Sequence, residues 1–154
     1  MVAGPALARG KGLRAQEGSL ALWTEALSVG VPEIDAQHRE LFSRVERLLE
    51  ASLRDDRSRV APLLEFLRDY VAVHFEAEER LMLEQRYPGY RLHKAEHDRF
   101  ARDLRAMEAE LAATGPTGDL AGRVDRGIAE WLRDHVYLTD TALGRFVRSL
   151  EEAR

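Results

Sequence analysis

The sequence predicts an all-α protein, an up-down-up-down four-helix bundle with a non-helical N-terminal arm. Three observations carry that prediction. Four long segments repeat their apolar residues at the three-and-four spacing of a helix, and none alternates with the period of a strand. Their connections are short and rich in turn formers, Tyr87-Pro88-Gly89 after the second and Thr114–Asp119 (TGPTGD) after the third. Short connections make consecutive helices antiparallel neighbours. Finally, 154 residues provide for one domain with a core but not comfortably for two.

Composition narrows the function classes. Hydrophobic residues at 45% and charged residues at 32% describe an ordinary globular chain. A net charge of −4 gives no reason to expect nucleic acid or an anionic membrane as partner. No apolar run approaches the roughly 18–20 residues of a transmembrane helix. The first twenty residues lack the continuous apolar segment of a signal peptide, so a cytoplasmic location is expected. The sequence contains no cysteine, which excludes disulfides and thiolate ligands. Any metal must therefore sit on nitrogen and oxygen, a donor set suited to iron, zinc, copper or manganese.

Taken in order, residues 1–20 are expected to form a flexible tail and residues 21–154 one bundle domain. Trp23–Val31 is an apolar lead-in. Pro32 suits the first position of a helix, and Glu33 and Asp35 place negative charge in its first turn. The first helix is predicted over about Pro32–Leu53, with a stripe of Ile34, Leu41, Val45, Leu48 and Leu49 that includes His38. The second runs from about Ser58 to Gln85, with Leu63, Leu64, Leu67, Tyr70, Val71, Leu81 and Met82 beside His74 and Glu78. The third covers about Gly89–Ala113, where Phe100, Leu104, Met107 and Leu111 continue the face of His93 and His97. The fourth starts near Asp119, with Val124, Ile128, Trp131, Leu132 and Leu138 facing inward and His135 among them. Gly144 is expected to bend or end it, before a packed turn of Phe146, Val147 and Leu150. The charged run Arg54–Arg59 reads as a solvated loop.

All five histidines fall on inward stripes, and every helix contributes at least one. His74 and Glu78, like His93 and His97, are four residues apart and share a helix face. The first pair lies late in its helix and the second early in the next, so antiparallel packing brings them level. Five buried rings without partners would cost roughly 1–3 kcal/mol each, which a shared cation removes. Glu78, between Val71 and Leu81, needs a positive partner of the same kind. Its neighbours Glu76 and Glu79 read as solvated charges. Asp140 is five residues after His135, about 140° away on an ideal helix, and joins it only by a long reach or a π-bulge. Five nitrogens and two carboxylates exceed zinc's usual four ligands and suit two octahedral ions, with iron favoured over manganese.

The stretches SVGVPEIDAQH (Ser28–His38), YVAVHFEAEE (Tyr70–Glu79), HKAEH (His93–His97) and WLRDHVYLTD (Trp131–Asp140), with Trp23 and Tyr87-Pro88, resemble the hemerythrin family. The likeness is closest to its single-domain bacterial members and spans about Trp23–Val147. It implies two non-haem iron ions joined by an oxo or hydroxo bridge. His93, His97 and His135 would hold one ion, His38 and His74 the other, and Glu78 and Asp140 would bridge them. It also implies reversible dioxygen binding for storage, delivery or sensing, in a pocket walled by Leu41, Phe75, Trp131 and Leu138. No catalytic residue is assigned. The alternative on the same site is a di-iron oxidase, a peroxidase or an enzyme that detoxifies nitric oxide or peroxide. The chain departs from the bacterial pattern at Glu46, where asparagine is frequent, and at Thr141, where lysine is common. Neither is expected to be a ligand. A rival reading, a phosphohydrolase using the His97-Asp98 doublet, lacks an accompanying basic cluster.

Overall fold

A computed structural model describes residues 23–52 and 56–154, and the tail expected at residues 1–20 lies outside them. Helix α1 is Pro32–Ser52, α2 Val60–Glu84, α3 Tyr90–Thr114 and α4 Gly118–Asp134. A π-helical turn, His135–Asp140, carries α4 directly into α5, Thr141–Glu152, so the two form one long fourth rod of a four-helix bundle. Among the described residues there is no strand, and no helix is long and apolar enough to cross a membrane.

Local chemistry explains the ends of the rods. The lead-in forms a single 3-10 turn at Glu25–Leu27. It is then tied to α1 by Asp35, whose carboxylate accepts from the Val29 amide (2.8 Å) and the Ser28 hydroxyl (2.6 Å). A second 3-10 turn, Arg57–Arg59, precedes α2, and Asp56 caps it by accepting from Ser58 N–H. Helix α2 ends in a left-handed residue, Arg86 at φ 54°. The Tyr87 amide reaches back to Met82 O (2.8 Å) and the Arg86 amide to Leu83 O (3.2 Å), the paired bonds of a Schellman ending. Pro88 then prevents the helix from resuming. Thr117 caps α4 by accepting from the Leu120 amide.

Two sequence expectations change. Arg59 is not solvated but buried, and its guanidinium holds Asp125 of α4 through two parallel contacts of 2.5 and 2.7 Å. Gly144 neither bends nor ends the fourth rod, because α5 runs on to Glu152. A Cβ on Gly144 would lie 2.3 Å from Val29 O, so the glycine is what lets the lead-in press against α5.

The apolar core has two parts. The larger packs Leu41, Phe42 and Val45 of α1 with Leu63, Leu67 and Phe75 of α2, Phe100 and Leu104 of α3, and Val124, Ile128 and Leu132 of α4. Smaller clusters lie toward the other end, around Ile34 and Ala77 and around Met82, Leu143 and Val147. The histidines and inward carboxylates lie around the junction of these parts, interleaved with Phe75, Ala77 and Val136. They make a polar layer inside an otherwise apolar bundle.

Candidate metal centre

His38 comes from α1, His74 and Glu78 from α2, His93 and His97 from α3, and His135 and Asp140 from the π turn. None is more than 3% exposed. The wider π turn needs about five residues to return to the same side, whereas an α-turn needs about four. His135 and Asp140 therefore face the same centre, with His135 Nε2 3.0 Å from Asp140 Oδ1.

The donors divide into two overlapping sets, Glu78, His93, His97, His135 and Asp140, and His38, His74, Glu78 and Asp140. Each carboxylate turns one oxygen to each set. Glu78 Oε1 lies 3.3 Å from His38 Nε2 and 3.2 Å from His74 Nε2, while Oε2 lies 3.3 Å from His93 Nε2 and 3.1 Å from His97 Nε2. Asp140 Oδ2 is 3.0 Å from His38 Nε2, and Oδ1 is 3.0 Å from His93 Nε2. Ligand atoms about 2.1 Å from an ion lie about 3.0 Å apart across an octahedral right angle and about 3.4 Å apart in a tetrahedron. The spacings of 3.0–3.3 Å are those of donors that could share an ion.

The histidine tautomers make the same point. His74 Nδ1 meets Gln37 Oε1 (2.7 Å), His97 Nδ1 meets Glu79 Oε1 (3.0 Å), and His135 Nδ1 meets Glu96 Oε2 (2.6 Å). Those oxygens only accept, so each Nδ1 donates its proton and a neutral ring is left with a lone pair on Nε2. His97 Nε2 and His135 Nε2 then face each other as lone pairs at 3.1 Å. Both oxygens of Glu78, both of Asp140 and His93 Nε2 are buried without a hydrogen bond. Convergent lone pairs and unpaired carboxylate oxygens call for cations between them.

The two buried carboxylates also draw protons to the nitrogens that a cation would otherwise take. Burial works against a charged His38, but the Asp140 and Glu78 carboxylates, 3.0 and 3.3 Å from its Nε2, outweigh it and raise its pKa to about 9. His93 rises to about 9 for the same reasons. In His135, burial is again outweighed, by Asp140 and Glu96, and its pKa reaches about 10. Burial would push Glu78 upward, yet the surrounding His74, His38 and His93 rings hold it well below the carboxylate range. Asp140 is held low too, against burial and the Glu78 charge, chiefly by His135 and His38.

Of the expected pocket residues, Leu41 and Phe75 are buried and belong to one core cluster, against which Trp131 packs. Phe75 stacks on His97 (3.8 Å between centroids) and lies 6.1 Å from the His74 ring, so it borders both sets. Trp131 stacks on His135 at 4.3 Å and on Phe100 at 3.9 Å. Leu138 is elsewhere. It is 62% exposed and lines an outer groove with Glu96, Trp131 and His135. Three residues past His135 in the wide π turn, it stops short of the inward side. The expectation that it walls the interior is corrected accordingly.

Sequence reasoning misses Gln37, Glu79 and Glu96, and Glu79, expected to be solvated, is only 23% exposed at its side chain. Each is the chain neighbour of a residue in the centre (His38, Glu78 and His97). On a helix that neighbour points about 100° away, toward the next rod. Adjacency of a polar residue to an inward histidine or carboxylate was the available signal.

The profile of the hemerythrin HHE cation binding domain matches residues 29–147. The chain is 32% identical over 129 residues to the bacteriohemerythrin of Methylococcus capsulatus, covering 82% of this chain and 95% of that one. It is 30% identical over 128 residues to the bacteriohemerythrin of Pseudomonas aeruginosa, covering 82% and 81%. The crystal structure of wild-type hemerythrin superposes with a TM-score of 0.69 at 29% identity, over 80% of this chain and 95% of that one.

Proposed function

The chain belongs to the hemerythrin family, and we propose that it binds dioxygen reversibly at a non-haem di-iron centre, within a domain spanning residues 21–154. In this reading His93, His97 and His135 hold one iron, His38 and His74 hold the other, and Glu78 and Asp140 bridge them. The observation that carries it is the split of the carboxylates, each turning one oxygen to the two-histidine set and one to the three-histidine set. With three nitrogens in one set and two in the other, the His38–His74 set would hold its ion with one ligand fewer and so leave room for dioxygen. When bound, two ferrous ions supply the pair of electrons that dioxygen accepts and returns on release.

The protein's own residues fix and shelter that chemistry. Gln37, Glu79 and Glu96 hold the Nδ1 protons and keep the Nε2 lone pairs aimed inward. Leu41, Phe75 and Trp131 exclude water and the protons it would deliver. A di-iron oxidase, peroxidase or nitric oxide detoxifying enzyme would need an acid–base group directed at its substrate. Glu79 and Glu96, carboxylates outside the ligand set that touch its rings, are instead engaged by ring protons, which favours binding over turnover.

The test is the visible spectrum of reduced, iron-loaded protein before air, after air and after oxygen is removed again. A coloured species that forms and disappears reversibly supports oxygen binding. A transient species with net oxidation shifts the function to an enzyme, and failure to bind two irons removes the centre.

A further inference from the structure

We propose that the Thr141 hydroxyl locks the π turn and thereby holds Asp140 on the ligand side of the fourth rod. The inference rests on the reading of Asp140 as an iron bridge and adds a positioning residue to that centre. The backbone amide of Thr141 reaches Val136 O, five residues back, in the spacing of the π turn. Helix α5 then resumes at Thr141, and regular four-residue spacing would pair the next amide, that of Ala142, with Leu138 O. Between Val136 and Leu138 the change of register passes over one carbonyl, Tyr137 O. The Thr141 side chain donates to that oxygen.

Threonine back-bonding in an ordinary helix adds a second donor to a carbonyl that already has one. Here the hydroxyl takes the place of the amide that moved to Val136. Thr141 is buried, so water is a poor substitute. Without the hydroxyl, the way to satisfy Tyr137 O is to return the Thr141 amide to it. That closes the π turn to α spacing and swings Asp140 by about 100° relative to α5, off the centre. A second hydroxyl secures the same turn from outside, where Thr139 donates to the Glu96 carboxylate that holds His135 (2.9 Å).

The test compares Thr141→Val, which keeps the shape without the hydroxyl, with Thr141→Ser, which keeps the hydroxyl. Asp140→Ala serves as reference. Each is titrated anaerobically with ferrous iron, and the metal-free forms are solved crystallographically. The lock predicts iron binding about 10-fold weaker in Thr141→Val, the scale of one buried hydrogen bond left unmade, and recovery in Thr141→Ser. It also predicts α spacing across residues 135–141 in metal-free Thr141→Val. Wild-type affinity and an intact π turn in Thr141→Val, with Asp140→Ala impaired, overturn the lock while keeping the centre. A lower melting temperature with unchanged iron affinity overturns it equally. If Asp140→Ala binds iron as the wild type does, the bridge itself is wrong and the lock falls with it.

Discussion

Single side chains decide how firmly the centre is held. Glu96 fixes His135 through a 2.6 Å contact and Glu79 fixes His97. Replacing either with alanine frees the ring to turn, and iron affinity should fall by about 10–100-fold in an anaerobic titration. Glu96→Gln retains an accepting oxygen and should lie nearer the wild type. Two equal losses in the Gln and Ala variants would show that charge, not orientation, is what Glu96 provides. Phe75 acts differently, as a wall. Phe75→Ala should cost about 3–5 kcal/mol in denaturant stability and hasten decay of the oxygenated spectrum by admitting water. The five histidines and Glu78 were legible in the sequence because they are conspicuous on apolar stripes, whereas Asp140 was assigned only by the family resemblance. Glu79 was not, because a glutamate beside a charged run looks like every surface glutamate until the neighbouring rod is in place.

At the scale of elements, the π turn was legible as a contradiction. Spacing puts His135 and Asp140 on different sides of an α-helix and leaves a long reach or a wider turn to join them, and the π turn is what the structure contains. What the spacing did not convey was the cost to Leu138, which the same widening moves outward. Gly144 is a similar case. Read alone, it marks a helix end, and only the contact with Val29 O reveals a packing role. Gly144→Ala should destabilise by about 1–3 kcal/mol, measured by urea unfolding, because backbone atoms cannot give way as a side-chain end can. A neutral result would mean that the lead-in shifts freely. At the α2–α3 turn the effect has the opposite sign. Arg86 occupies a left-handed conformation that suits glycine, and Arg86→Gly should stabilise by about 1 kcal/mol.

Across the whole molecule, the polar layer makes stability depend on pH and on metal in opposite senses. His38, His93 and His135 have pKa values raised from about 6.5 to about 9–10 in the folded chain. A raised folded pKa stabilises fully below the unfolded value and is lost as pH rises through the folded value. Metal-free protein should therefore lose stability between about pH 6.5 and 10, followed by thermal melts across that window. Iron must displace the same protons, so its apparent affinity should rise over that range and its uptake should release protons into weakly buffered solution. Metal-free stability that rises toward pH 10 would contradict this charge assignment.

The contacts that steady the rings follow the order of the chain. Gln37 of α1 reaches His74 of α2, Glu79 of α2 reaches His97 of α3, and Glu96 of α3 reaches His135 of the fourth rod. Every such contact joins rods that are consecutive in the sequence. During synthesis, each can close as soon as the following helix clears the ribosome, without waiting for a distant segment. Asp140 alone comes from beyond the last of them. The nascent chain would thus carry two steadied imidazoles, His74 and His97, before its final helix arrives, and the arrival of the fourth rod would complete the cage.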